Sequence, residues 1–210
     1  MTNPSIACDA SDSGHENVAE KGLLRIALLA ARKAISADQR LTFDTAIGER
    51  VIDWATALSD GNSEVTSGRF PVSGVLGVYW PIRDEPDLRP AYKTLIARGV
   101  QLALPVVVGK NAPLQFIRWQ PGEAMIKDSF GVAIPANGEV VIPRALLIPC
   151  VGFNAQRLRL GYGGGFYDRT LAIEPRPIAL GIGYSAGLVG FDGAHHDIAL
   201  DRIFTESACF

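Results

Sequence analysis

A glycine-rich segment, residues 159–168, contains the groups best suited to bind a phosphate. It reads Arg-Leu-Gly-Tyr-Gly-Gly-Gly-Phe-Tyr-Asp, with four glycines within five positions. Glycines expose backbone N–H groups and permit positive φ angles, as a phosphate-binding loop requires. Arg159 can pair with phosphate oxygens, and Asp168 can hold Mg²⁺ against them. The loop has neither the Walker A nor the dinucleotide pattern, and a glycine turn that binds no ligand is the alternative.

A helix predicted over residues 21–35 carries a cluster of positive charge. At about 100° per residue, Lys21, Arg25 and Arg32 fall within about 40° of one another. We therefore expect a narrow cationic ridge on one side of the helix, for which an ordinary solvated face is the alternative. The opposite side is expected to face the core and consists of Leu23, Ile26, Ala27 and Ala30.

The second helix is predicted to begin at Ser36, because Ser36 and Gln39 have the spacing of a capping box. Apolar residues recur on one face of this helix, as expected for packing against a core. They are Phe43, Ile47, Trp54 and Leu58. Residues 59–68 are polar, contain glycine and are predicted to form a loop.

Predicted helices and strands alternate along the rest of the chain. Further helices are predicted over residues 88–98 and from about residue 167. Apolar runs predict strands over residues 75–80, 101–108, 114–119, 145–153 and 178–184. This alternation predicts an α/β layered domain with a central, largely parallel sheet flanked by helices. Residues 1–20 are predicted to be a disordered leader, and residues 21–210 a single domain.

The composition indicates a soluble, cytoplasmic globular protein. Of 210 residues, 48% are hydrophobic, which is enough for a sizeable core, and the formal charge of −2 does not favour nucleic-acid binding. We see neither a secretory signal nor an apolar run of about 18 residues, so no membrane partner is expected. Cys8, Cys150 and Cys209 are far apart and suit free thiols in a reducing compartment. We expect a monomer or weak dimer.

The glycine-rich segment, with Phe153 before it, resembles the signature of the 5-formyltetrahydrofolate cyclo-ligase family. The resemblance runs in order from about Lys21 to Glu206. It implies that ATP phosphorylates the formyl oxygen of 5-formyltetrahydrofolate and that N10 then attacks the activated carbon. The ring closes, phosphate leaves, and the products are 5,10-methenyltetrahydrofolate, ADP and phosphate. ATP and Mg²⁺ are the implied cofactors.

The resemblance also implies which residues contact ATP. The family begins with a Lys-x-x-x-Arg helix whose cations contact the phosphates. Lys21 and Arg25 match that spacing, and Arg32 is a further candidate. The implied ATP-binding residues are Lys21, Arg25, Arg159, Leu160, Gly161, Tyr162, Gly163, Gly164, Gly165, Phe166 and Tyr167.

The folate is implied to bind at Tyr79, Trp80, Glu85 and Tyr167. Flat aromatic rings suit a pterin or benzoate, and Glu85 can accept hydrogen bonds from pterin N–H groups. Ordinary core packing is the alternative for Tyr79 and Trp80. For Glu85 the alternative is a favourable charge near a helix N-terminus.

The implied magnesium ligands are Asp168 and Asp197. Asp197 lies in a segment that resembles the closing motif of the family, and two carboxylates plus phosphates and waters suit octahedral Mg²⁺. The alternative is that aspartates here cap turns, above all Asp201. His195 and His196 lack a third metal ligand at a sensible spacing and are interpreted as loop residues.

Three positions depart from the family pattern. Asn154 stands where an Asp is usual, Arg157 where a Gly is usual, and Arg144 where an Asp is common. Two other hypotheses stay open, and these departures motivate the first of them. One is a relative that binds folate or nucleotide without turnover, and the other is an α/β enzyme that acts on a sugar phosphate.

Overall fold

A computed structural model describes residues 12–56 and 74–210 of the chain. The helices are α1 (Asp12–Ala34), α2 (Ala37–Thr56), α3 (Arg89–Ala97) and α4 (Phe166–Leu171), with one 3₁₀ turn at Ser185–Gly187. The strands are β1 (Val75–Gly77), β2 (Gln101–Val107), β3 (Leu114–Trp119), β4 (Met125–Lys127), β5 (Ala133–Pro135), β6 (Val140–Val141), β7 (Ala145–Pro149), β8 (Gly152–Phe153), β9 (Arg159–Leu160), β10 (Ile178–Ile182) and β11 (Arg202–Phe204). No helix within the described residues is long and apolar enough to cross a membrane.

The centre of the fold is a seven-stranded sheet with the order β11-β10-β7-β1-β2-β3-β6. The five strands from β11 to β2 are parallel, β3 pairs with β2 in antiparallel orientation, and β6 pairs with β3 in antiparallel orientation. The parallel strands are short apolar runs, as expected for strands covered on both faces. The predicted α/β fold with a largely parallel sheet is therefore confirmed.

Two apolar clusters cover the two faces of this sheet. One contains the inward residues of α2 and α3, including Ile47, Val51 and Leu95, each 0% exposed. The other packs Leu171 of α4 against β7 and β10. Between neighbouring strands the packing is tight: a Cβ atom at Gly77 would lie 2.5 Å from Cδ2 of Leu146. Glycine is needed there because no larger side chain fits.

The start of α2 confirms the capping box. The Gln39 amide donates to Oγ of Ser36 at 3.3 Å, and the Ser36 amide donates to Oε1 of Gln39 at 3.4 Å. Ile47 is buried as predicted, and Phe43 and Trp54 pack partly buried against the same cluster. The predictions for Leu58 and for residues 59–68 lie outside the described residues.

The predicted disordered leader is wrong for residues 12–20, which belong to α1. Adding turns to a helix that is already anchored forms one hydrogen bond per residue fixed, without the nucleation cost. Polar composition alone therefore did not indicate where the helix begins. Residues 1–11 lie outside the described part of the chain.

The predicted orientation of α1 is also wrong. Leu23 and Ile26 are 70% and 68% exposed, whereas Lys21 and Arg32 are 9% and 5% exposed. The apolar contact of α1 is instead made by Leu28, which packs with Val151 and Leu160. Burying the cationic side is favourable here because backbone carbonyls and a carboxylate accept hydrogen bonds from it.

Two predicted strands differ most from their expected lengths. The 75–80 run stays in the sheet only to Gly77, because the chain turns away towards a tight bend at Arg83 and Asp84, whose φ angles are 48° and 60°. The 145–153 run divides at Cys150 into β7 and β8. β8 then forms a separate hairpin with β9.

Candidate active site

The candidate site lies beyond the carboxyl ends of the parallel strands β1 and β7. The chain that leaves β1 carries Glu85, and the chain that leaves β7 forms the β8–β9 hairpin and the glycine loop. Crevices outside the carboxyl ends of strands are the usual ligand sites of open α/β sheets.

The glycine loop, residues 161–165, has the backbone conformation that its glycines permit. Gly163 has φ = 92° and Gly165 has φ = 64°, so both lie in the left-handed region that disfavours larger residues. Arg169 stabilises the loop by linking it to the chain before β3. Its guanidinium donates to the carbonyl of Gly164 at 2.8 Å and to that of Ala112 at 3.2 Å. Arg169 was not predicted as a site residue, although it directly follows Asp168.

The cationic ridge of α1 lies against this loop. Arg25 Nε donates to the carbonyl of Gly161 at 2.7 Å. Arg32 donates to the Cys150 carbonyl and, at 3.4 Å, to the hydroxyl of Tyr162. The predicted cations are therefore brought together with the predicted phosphate loop, across more than a hundred residues of sequence.

The two predicted metal ligands are linked through the amide of Ile198, the residue that follows Asp197. That amide donates to Oδ1 of Asp168 at 3.3 Å, and Asp168 also pairs with Arg159 at 2.8 Å. The adjacent Asp197 pairs with Lys21 at 2.9 Å.

The pKa of Asp197 is lowered. Burial alone would raise it, but the hydrogen bonds from Lys21 and from the Ala194 amide outweigh that effect. Asp197 is therefore a carboxylate at neutral pH.

These carboxylates can fit Mg²⁺ but not a transition-metal centre. Among residues 12–56 and 74–210, no group of three or more His, Cys, Asp or Glu side chains could hold a metal ion. Magnesium is usually held by one or two carboxylates and completed by phosphates and waters. His196 is 65% exposed, and Asp201 pairs with Arg176 and accepts from the Ala179 amide. The two histidines lie in a turn, as predicted. Asp201 does not cap a turn, because its partners Arg176 and Ala179 lie 25 and 22 residues away in the sequence.

Glu85 is a buried carboxyl group at the edge of the site, with 4% exposure. Its Oε2 accepts from the Ile82 amide at 2.9 Å, and its Oε1 accepts from the Tyr162 hydroxyl at 3.0 Å. Burial raises its pKa to about 7, although these hydrogen bonds and the nearby Arg32 and Arg83 oppose the rise. Perturbed carboxyl groups in clefts are frequent at functional sites.

The predicted aromatic residues have different environments. Tyr79 is 2% exposed, and its hydroxyl donates to the Pro86 carbonyl at 2.6 Å, so core packing describes it. Trp80 is partly exposed, lies edge-on to Trp119 with ring centroids 5.9 Å apart, and has the Arg89 guanidinium 5.2 Å from its ring. Tyr167 is partly buried, and the Arg159 guanidinium lies 5.9 Å from its ring.

This chain is similar to known proteins over most of its length. The model of the "5-formyltetrahydrofolate cyclo-ligase family" matches residues 17–206. A 5-formyltetrahydrofolate cyclo-ligase from Mycolicibacterium smegmatis is 29% identical over 168 residues, which cover 71% of this chain and 84% of that protein.

Two solved structures are also similar. A 5,10-methenyltetrahydrofolate synthetase from Mycoplasma pneumoniae has a TM-score of 0.70 at 23% identity, over 89% of this chain and 99% of that one, and so supports the fold alone. The NMR structure of a 5,10-methenyltetrahydrofolate synthetase from Aquifex aeolicus has a TM-score of 0.67 at 27% identity, over 90% and 91% of the two chains.

Proposed function

The chain belongs to the 5-formyltetrahydrofolate cyclo-ligase family, and we propose that it converts 5-formyltetrahydrofolate to 5,10-methenyltetrahydrofolate while ATP is converted to ADP and phosphate. The formyl oxygen takes the γ-phosphoryl group of ATP, and the N10 lone pair attacks the activated carbon. The C–O bond then breaks, so phosphate carries the formyl oxygen away as the ring closes. No protein nucleophile is needed, and catalysis consists mainly of positioning and of charge neutralisation.

The observation that carries this proposal is that one loop contacts both predicted halves of the site. The glycine loop accepts a hydrogen bond from Arg25 at Gly161 and donates one to Glu85 through Tyr162. A triphosphate held by the cations of α1 would therefore end close to a folate held at Glu85. Such proximity is what transfer of a phosphoryl group requires.

We assign the phosphates to Lys21, Arg25, Arg159 and the loop backbone. Each of these side chains already has a hydrogen-bond or ion-pair partner beside the loop, so a phosphate would replace an existing partner. In this role they neutralise the charge that is redistributed as the γ-phosphoryl group moves.

We assign Mg²⁺ to Asp168 and Asp197. The donor set fits this ion, because both groups are hard oxygen ligands and each now pairs with a cation, Arg159 or Lys21. When bound, Mg²⁺ would supply neutralisation of the phosphate charge. Lys21 and Arg159 would then be released from their carboxylates towards the phosphates.

We assign the pterin to Glu85, with Trp80 and Tyr167 lining the space beside it. Glu85 has hydrogen-bond acceptors for pterin N–H groups, and Tyr162 can give up its hydrogen bond to them. Tyr79 acts indirectly, because its hydroxyl holds the Pro86 carbonyl next to Glu85. The buried free thiol of Cys150 suits the cytoplasm, which we propose as the location, and we propose a monomer or weak dimer.

The reaction is tested with purified protein, 5-formyltetrahydrofolate and Mg-ATP, by following the near-ultraviolet absorbance of the methenyl product. We expect a signal that requires all three components. Folded protein that binds ATP and folate without product would support the binding relative instead. Binding of a sugar phosphate without any folate requirement would support the other alternative.

A further inference from the structure

Asn154 and Arg157 lie on the turn between β8 and β9, and both contact one C-terminal segment. This segment, residues 189–200, is called the C-terminal strap and carries Asp197. It has no helix or strand along its length. Its position must therefore be fixed by contacts with neighbouring parts of the chain.

Asn154 contacts the first part of the strap. It is 3% exposed, and its Nδ2 donates to the Phe191 carbonyl at 3.0 Å. Its Oδ1 accepts from the amides of Gln156 and Leu158, at 3.1 and 2.9 Å, which closes the turn. All of its contacts use the polarity of an amide. An aspartate would still accept from the two amides, but it would place a second oxygen against the Phe191 carbonyl.

Arg157 contacts the last part of the strap. Its Nε donates to the Leu200 carbonyl at 3.0 Å, and its own carbonyl accepts from the Leu200 amide at 3.0 Å. Its φ angle is 60°, a conformation that costs a non-glycine residue about 1 kcal/mol or more. A glycine would remove this strain and would also remove the contact through Nε. The arginine therefore holds the strap at the expense of backbone strain.

We propose that Asn154 and Arg157 are positioning residues that hold the C-terminal strap, and with it Asp197, in place for Mg-ATP. The inference rests on the proposed function. The two contacts hold the strap on both sides of Asp197, since Phe191 lies six residues before it and Leu200 three residues after it. Between these two contacts the strap also binds predicted site residues. Asp197 pairs with Lys21, and the Ile198 amide donates to Asp168. The two departures from the family pattern thus act together on one element.

The sharpest test is Asn154→Asp, which keeps the size and the turn-closing acceptors but removes the donor to Phe191. We expect the dissociation constant for Mg-ATP, measured by calorimetry, to rise about three- to tenfold, the usual effect of one lost hydrogen bond. KM for ATP should rise with it, while KM for folate stays unchanged. Without any ligand, exchange of the Asp197 amide hydrogen, which bonds to the Ala194 carbonyl at 2.9 Å, should accelerate by a similar factor.

Arg157→Gly tests whether loss of the strap contact weakens Mg-ATP binding without lowering the stability of the protein. Because glycine accepts this backbone conformation, the midpoint of thermal unfolding should not fall, yet exchange in the strap and the dissociation constant for Mg-ATP should rise. Gln156→Ala changes an exposed side chain of the same turn and serves as the matched control, with neither quantity expected to change.

The outcomes distinguish this inference from the proposed function. If the wild-type protein binds no Mg-ATP, the proposed function fails, and the inference fails with it. If the wild type binds and both variants bind equally well with unchanged exchange in the strap, only the inference is overturned. The inference would also be overturned if a variant had a lower unfolding midpoint and its strap amides and β10 amides exchanged faster by the same factor. The substitution would then destabilise the whole protein and not the strap in particular.

Discussion

The hydroxyl of Tyr162 lies 3.0 Å from Oε1 of Glu85, joining the glycine loop to the buried carboxyl group beyond β1. Arg32 donates to the same hydroxyl at 3.4 Å, and the Arg83 guanidinium lies 4.9 Å from the Tyr162 ring. Burial and the nearby Glu85 raise the pKa of Tyr162, so it remains a proton donor at neutral pH. The assigned phosphate and folate halves of the site therefore share this tyrosine.

Glu85→Gln should stabilise the free protein in a pH-dependent way. The pKa of Glu85 is raised from 4.5 to about 7, so the contribution of this group to stability is full below pH 4.5 and is lost as pH rises through about 7. At 1.36 kcal/mol per pH unit, the loss is on the order of 3 kcal/mol. Gln mimics the protonated group, so urea unfolding should show the variant more stable than wild type at pH 8 and equal to it at pH 4. A constant difference at both pH values would contradict the raised pKa.

Tyr162→Phe should move the titration of Glu85 to higher pH. The lost hydrogen bond stabilises the carboxylate, so its removal leaves burial less opposed. If the carboxylate is the form that binds pterin N–H groups, the pH at which folate affinity is half-maximal should rise. The measurement is folate binding by fluorescence between pH 6 and 9, with Phe130→Leu, at an exposed aromatic residue outside the assigned site, as the control. If the pH of half-maximal folate affinity stayed at its wild-type value, Tyr162 would not influence the titration of Glu85.

Lys21→Ala should mainly weaken the use of ATP. Hydrogen bonds to charged groups contribute about 1.5–3 kcal/mol, so kcat/KM for ATP should fall about 10- to 100-fold, with little change in KM for folate. Lys33→Ala removes an exposed cation of the same helix and should leave both constants unchanged. Steady-state kinetics with ATP as the varied substrate checks this. Normal turnover with an unchanged KM for ATP would remove Lys21 from the phosphate site.

Asp168→Asn should lower Mg²⁺-dependent turnover by about 100-fold or more. A metal ion that neutralises charge on the phosphates contributes several kcal/mol to catalysis. The asparagine keeps an acceptor for the Ile198 amide and for Arg159, whose side chain is 5% exposed. Asp168→Ala would leave that guanidinium buried without its partner, and should therefore also lower the unfolding midpoint. Turnover is measured over a range of Mg²⁺ concentrations. Wild-type dependence on Mg²⁺ in the Asn variant would exclude Asp168 as a ligand.

Two substitutions on α1 test the direction in which this helix faces. Leu28→Ala should destabilise the protein by about 2 kcal/mol or more, since Leu28 is 8% exposed and packs with Val151 and Leu160. Ile26→Ser, at a position 68% exposed, should change stability by less than about 0.5 kcal/mol. Chemical denaturation of both variants gives the comparison. The reverse order would support the orientation predicted from the sequence.

The sequence determined those features that depend on neighbouring residues. The Ser36–Gln39 capping box, the β2–β3 hairpin and the left-handed glycines at 163 and 165 need only local geometry, and each was predictable. Apolar runs that alternate with helical patterns also determined the fold class, because strands covered on both faces must be apolar throughout. The choice of Lys21, Arg25, Glu85 and Asp197 as site candidates rested on the family resemblance.

Only the tertiary structure decided which side of α1 is buried and what the unusual residues do. Helical periodicity predicted burial of Leu23 and Ile26, because a helix considered alone gains most by burying its apolar side. The fold instead offered carbonyls at Cys150 and Gly161 and a carboxylate 176 residues away, and these acceptors compensate the desolvation of three cations. Asn154 and Arg157 likewise contact Phe191 and Leu200 only because the C-terminal strap returns to them. These two contacts join residues distant in sequence, so no local pattern could indicate them.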